Sequence, residues 1–132
     1  MSARIASYHA HIYYDVAKTR HVAEALRARI AERFAVRMGR WHDLAVGPHP
    51  IAMYQVAFLP AVFPAFVPWL MLNRDGLTIL IHPNTGAPRD DHLVHALWFG
   101  SVLRLNEDVL PIKGDLSTLE TETNTTPTVA VD

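Results

Sequence analysis

The chain has 132 residues, half of them apolar and 19% charged, with a formal net charge of -1. That length supports a single domain with its own core, and the balanced charge offers no basic face for nucleic acid or an anionic membrane surface. Cysteine is absent, which excludes disulfides, thiolate metal sites and a cysteine nucleophile and fits a reducing, cytoplasmic setting.

Residues 1–7 hold no apolar run of signal-peptide length, so no targeting segment is expected. From Ile5 to Tyr14 the residues alternate. Tyr8, Ala10, Ile12 and Tyr14 fall on one side and Ser7, His9, His11 and Tyr13 on the other, the period of a strand. Asp15 to Thr19 is expected to open a helix, in which Val22, Leu26, Ile30 and Phe34 recur at four-residue spacing. Val36 to Asp43 reads as a second strand. Val46-Gly47-Pro48-His49-Pro50 is a turn, because its glycine and two prolines forbid regular pairing. Ile51 to Leu59 is a third strand, with Tyr54, Val56 and Phe58 opposite Met53, Gln55 and Ala57.

Val56 to Leu72 is the most apolar stretch. Its length approaches a membrane span, but Pro60, Pro64 and Pro68 suit a bent soluble helix over Pro60 to Asn73 better. Leu77 to His82 is a fourth strand, and a helix is predicted over Asp91 to Phe99 with an aspartate as its N-cap. Leu103 to Leu105 is a candidate short extra strand. The Thr-rich stretch 117–132 reads as a loose tail, leaving residues 1–116 as the domain. The order strand, helix, strand, strand, helix, strand is the split βαβ, ferredoxin-like pattern of the α+β class. It predicts a four-stranded antiparallel sheet with helices on one face and an extra C-terminal helix.

Eight histidines stand out in so short a chain. Histidine is the commonest metal ligand and titrates nearest neutral pH. Strand parity sends His9 and His11 to the sheet face away from the helices, about 6.6 Å apart along the chain. His82, ending the strand expected beside the first, joins them on that face. Three imidazoles without cysteine suit iron, manganese or zinc; a row of rings at a dimer interface is the alternative. His92 is placed to roof this group. His49 is expected about 16 Å away, at the opposite end of the sheet, unless its turn folds over the open face. Tyr13 and Gln55 share the polar face. Arg74, after the second helix, is a candidate for a substrate carboxylate or simply a helix C-terminal cation. His21, His42 and His95 read as background.

Taken together, Tyr8-His9-Ala10-His11-Ile12-Tyr13-Tyr14, Val46-Gly47-Pro48-His49-Pro50, Trp69-Leu70 with Asn73-Arg74, Leu80-Ile81-His82-Pro83-Asn84-Thr85-Gly86, and Asp91-His92 with Ala96-Leu97-Trp98-Phe99-Gly100 resemble the DOPA 4,5-dioxygenase family over residues 5–112. The resemblance implies a ferredoxin-like fold, often dimeric, and extradiol opening of a catechol ring by dioxygen on non-haem iron(II). It carries His9, His11, His49, His82 and His92 over as site candidates. The metal ligands are expected to be His9, His11 and His82, with His49 and His92 in acid–base roles and Tyr13, Gln55 and Arg74 contacting substrate. The expected cofactor is iron(II), with zinc or manganese as alternatives, and the partners are a catechol, dioxygen and a second copy of the chain. The usual triad of two histidines and a carboxylate has no obvious carboxylate here, unless Asp91 or Glu107 reaches in. A metal-free ligand-binding dimer and a zinc hydrolase on the same histidines are the rival readings.

Overall fold

The computed structural model describes residues 4–119 and 121–131. Five strands form one antiparallel sheet in the order β2-β3-β1-β4-β5. They are β1 (Ser7–Tyr13), β2 (Arg37–Met38), β3 (Met53–Phe58), β4 (Ile79–Asn84) and β5 (Leu97–Phe99). The helices are α1 (Arg20–Arg33), α2 (Phe63–Asn73) and the short α3 (Pro88–Leu93). This is the ferredoxin-like α+β arrangement, with β1 central between β3 and β4. Among the described residues no helix is long and apolar enough to cross a membrane.

Strand parity sorts the two sheet faces as the alternation predicts. Ala10, Ile12, Tyr54, Val56, Ile79 and Ile81 are buried against Ala23, Leu26 and Ile30 of α1 and Phe66, Val67 and Leu70 of α2. The α2 prolines cause little disruption because Pro64 lies in the first turn and both Pro64 and Pro68 are solvent-exposed. Their missing N–H groups therefore fall on the wet side of the helix, where water satisfies freed carbonyls.

Four elements differ from expectation. Helix α1 begins at Arg20, not Asp15, because Asp15 turns the chain itself. Its carbonyl accepts from the Lys18, Thr19 and Arg20 amides and its carboxylate from those of Ala17 and Lys18. Strand β2 shrinks to two residues plus a bridge between His42 and Met53. The helix predicted over Asp91 to Phe99 is confined to Pro88–Leu93, and Leu97–Phe99 instead pairs with Ile79–Ile81 as a fifth strand. Leu103 to Leu105 forms no strand. Gly100, at φ 82°, turns the chain so closely past Thr78 that a Cβ there would sit 2.9 Å from its hydroxyl oxygen.

The chain beyond β5 returns across the face opposite the helices. Leu105 is buried with Tyr13, Met53 and Leu80, and Ala96, Trp98 and Leu103 pack around them. One end of that face is thus a small dry cluster, and the histidines occupy the rest. The Thr-rich stretch continues to the outer edge of β2. There the Asn124 side chain accepts from the Met38 amide and donates to its carbonyl. The Thr125 hydroxyl meets the Val36 amide and the Phe34 carbonyl.

Candidate metal and acid–base site

Pairing of β1 with β4 sets His9 directly opposite His82, and pairing with β3 sets His11 opposite Gln55. All point to the same face. The His9 and His82 rings lie 5.1 Å apart and the His9 and His11 rings 5.9 Å apart. Among the described residues, one atom from each of His9, His11 and His82 falls within 4.8 Å of the others, a group able to hold a metal ion.

Hydrogen-bond partners assign the tautomers. A carbonyl only accepts, so the 2.9 Å contact from His82 Nδ1 to the Pro83 oxygen puts the proton on Nδ1 and a lone pair on Nε2. The same reasoning applies to His92, whose Nδ1 lies 2.7 Å from the Pro88 oxygen. His11 Nε2 and His82 Nε2 are 3.1 Å apart, and His11 Nδ1 is buried with no partner. Two nitrogens bound to one ion at about 2.1 Å, with a near-right angle between them, are separated by about that distance. The backbone carbonyl holding His82 is the orienting contact that metal-ligating imidazoles usually have. The donor set therefore fits a divalent ion such as iron(II), zinc or manganese.

His49 is where the structure departs most from expectation. The turn does fold over the open face, and the His49 ring lies 4.1 Å from that of His11. Its Nδ1 is 2.6 Å from the Tyr13 hydroxyl, which has no other hydrogen-bond partner among the described residues. With tyrosine as donor its hydroxyl proton is satisfied by His49 Nδ1, and the His49 proton then sits on Nε2. His92 completes the roof at 3.8 Å from His82 and 6.4 Å from His49.

All five rings are held neutral. Burial, reinforced by the other imidazoles, lowers His9 and His49 to about 4. The same two causes hold His11 and His82 well below the ordinary imidazole value, and burial lowers His92. Burial raises the Tyr13 hydroxyl, which keeps it protonated. Neutral imidazoles are the form that binds metal and accepts protons.

The remaining candidates fall in different places. Gln55 is partly exposed beside His11. Tyr13 is buried, stacked on Trp98 with ring centroids 5.9 Å apart, and reaches the site through His49. Arg74 is not brought to the imidazoles: it follows the last turn of α2, where its Nη1 donates to the Leu77 carbonyl. Asp91 is neither an N-cap nor a member of the cluster. It is buried and accepts from the amide (2.8 Å) and hydroxyl (2.6 Å) of Thr85, stapling the end of β4 to α3. Glu107 is exposed. His21 and His95 are exposed, and His42 pairs through its backbone with Met53. A cleft of about 420 Å³ lined by Tyr8, Phe63, Ile81, Pro83 and Leu97 lies among core residues of the helix side, and none of the five clustered imidazoles lines it. Sequence reasoning gave the segment 106–111, which is tied to Pro48 and Arg89 beside the roof imidazoles, no structural role, because it has no periodicity and forms no long element.

A ferredoxin-like sheet with a buried imidazole cluster on its open face defines the class of protein. The Dopa 4,5-dioxygenase family model matches residues 8–109, and the chain belongs to that family. A DOPA 4,5-dioxygenase of Amanita muscaria is 31% identical over 123 residues, covering 87% of this chain and 54% of that protein. An uncharacterized 21.2 kDa protein of Botryotinia fuckeliana is 38% identical over 114 residues, covering 76% of this chain and 61% of that one. The chain therefore spans little more than half the length of these relatives. A solved structure from Nostoc punctiforme, described as a candidate dioxygenase, is 54% identical and superposes with a TM-score of 0.78. The match covers 80% of this chain and 90% of that one.

Proposed function

We propose that this protein is a non-haem iron(II)-dependent extradiol dioxygenase acting on DOPA or a related catechol. The observation that carries the reading is the group of buried His11 and His82 with half-buried His9, whose ligand atoms lie within 4.8 Å of one another on one sheet face. These three residues would hold the ion. When bound, iron(II) supplies a Lewis acid for the catechol oxygens and the redox chemistry through which dioxygen reacts.

The chain's own residues supply the proton chemistry. Catechol binding requires loss of hydroxyl protons, and His92, with a free lone pair on Nε2, is the base. His49, with its proton on Nε2, is the donor to oxygen as the ring opens. Gln55, a half-buried polar residue paired with His11 across β1 and β3, is assigned to substrate contact; Tyr13 acts by orienting His49. Overall, one carbon–carbon bond next to the two hydroxyl carbons breaks, and both atoms of dioxygen enter the product.

Anaerobic addition of iron(II), then DOPA, then air is expected to give a yellow, visible-absorbing product and about one iron per chain. A His11→Ala variant is expected to lose both. Colourless protein that retains no iron would overturn the reading. A second reading rests on the same donor set: an all-imidazole site with no carboxylate also suits a zinc hydrolase, and metal analysis with indifference to oxygen would favour it. A cytoplasmic homodimer is part of the proposal: the cysteine-free sequence fits the reducing compartment, and sedimentation tests the dimer.

A further inference from the structure

The two roof imidazoles come from distant elements, yet one segment touches the base of both. His49 follows Pro48, whose carbonyl accepts from the Asn106 amide at 2.9 Å. His92 lies three residues after Arg89 on α3. Arg89 holds the same segment at three points. Its amide donates to the Pro111 carbonyl (3.0 Å), its Nε to Leu110 (3.1 Å) and its Nη2 to Glu107 (3.3 Å). Leu105 and Leu110 are buried, which seats the segment against the domain. The Arg89 fork closes on the carbonyls of the first residue, Glu107, and the C-cap, Leu110, of a single 3-10 turn, Glu107–Val109. A planar guanidinium spans two such acceptors, whereas an ammonium contacts one as a point charge.

We propose that Arg89 is a positioning residue: by gripping the segment 105–111 it sets the separation of His49 and His92 across the imidazole floor. It acts through the strap and touches neither ring. The strand-borne residues His9, His11 and His82 do not depend on it, because β1 and β4 fix them. The inference rests on the reading that the roof imidazoles do the proton chemistry, but its test does not need turnover.

The test uses histidine ring 13Cε1–1H signals of the full-length protein, recorded metal-free and with zinc alone, for three variants. Arg89→Ala and Arg89→Lys are both expected to shift or broaden the His49 and His92 signals most, with smaller changes at His11 and His82, which touch them, and least at His9. Asn106→Pro removes the amide that meets Pro48, and its φ of -78° suits proline. It is expected to move His49 and spare His92. With iron and DOPA, kcat should fall in the Arg89 variants by tenfold or more, on the scale of a small misplacement of catalytic groups, with iron stoichiometry unchanged. Unchanged roof signals in Arg89→Ala, full rescue by lysine, or equal disturbance of all five rings in all three variants would each overturn the proposal. Because the metal-free spectra report ring positions directly, failure of the iron assignment would leave this result intact.

Discussion

In the proposed function, two hydrogen bonds of opposite sense divide the proton chemistry between chemically identical side chains. The Pro88 carbonyl leaves His92 with a lone pair facing the site, and the Tyr13 hydroxyl leaves His49 with a proton facing it. Tyr13→Phe keeps the stack on Trp98 and removes only the donor. It is expected to cost about 1 kcal/mol of stability and to lower turnover well beyond that, with metal content unchanged, as read by urea unfolding and steady-state kinetics. Asp91→Asn tests a different contact. It removes the negative charge that receives both the amide and the hydroxyl of Thr85, and a loss of about 1–3 kcal/mol is expected in the same unfolding assay.

At the scale of elements, the strands carrying the histidines are ordinary and the segments covering them are not. The alternation of Tyr8 to Tyr14 and Leu77 to His82 is legible because burial of one face imposes a period of two, and it places His9, His11 and His82 on one face. The position of His49 is not legible. Its turn crosses the open face, held by one backbone bond to Asn106 and one hydroxyl from Tyr13, and neither leaves a periodic trace. The fifth strand reads as helix in the sequence because the pattern from Asp91 to Phe99 is too short to separate the two periods. The outer edge of β2 shows the same kind of non-local tie. Asn124 mimics a strand backbone there, so Asn124→Ala should speed hydrogen exchange at the Met38 amide while Val36, held by Thr125, stays slow.

For the whole molecule, the cluster couples stability to pH. Each of the five imidazoles has a folded value below its ordinary 6.5. The unfolded chain therefore binds protons that the folded one refuses. Stability is full above about 6.5 and is lost as pH falls toward about 4, the folded value of His9 and His49, by up to about 1.4 kcal/mol per pH unit for each proton that the unfolded chain binds and the folded one does not. Thermal unfolding across that range should show the drop, and added metal should offset it by binding only the folded, neutral site. The same neutrality at pH 7 leaves His9, His11 and His82 free to bind an ion without first losing protons. The most direct measurement of the central claim is a turnover of DOPA by the iron(II)-loaded protein under 18O2, with the product weighed by mass spectrometry. Both labelled oxygen atoms are expected in a ring-opened product. A product carrying oxygen only from water, or none formed at all, would contradict the dioxygenase assignment.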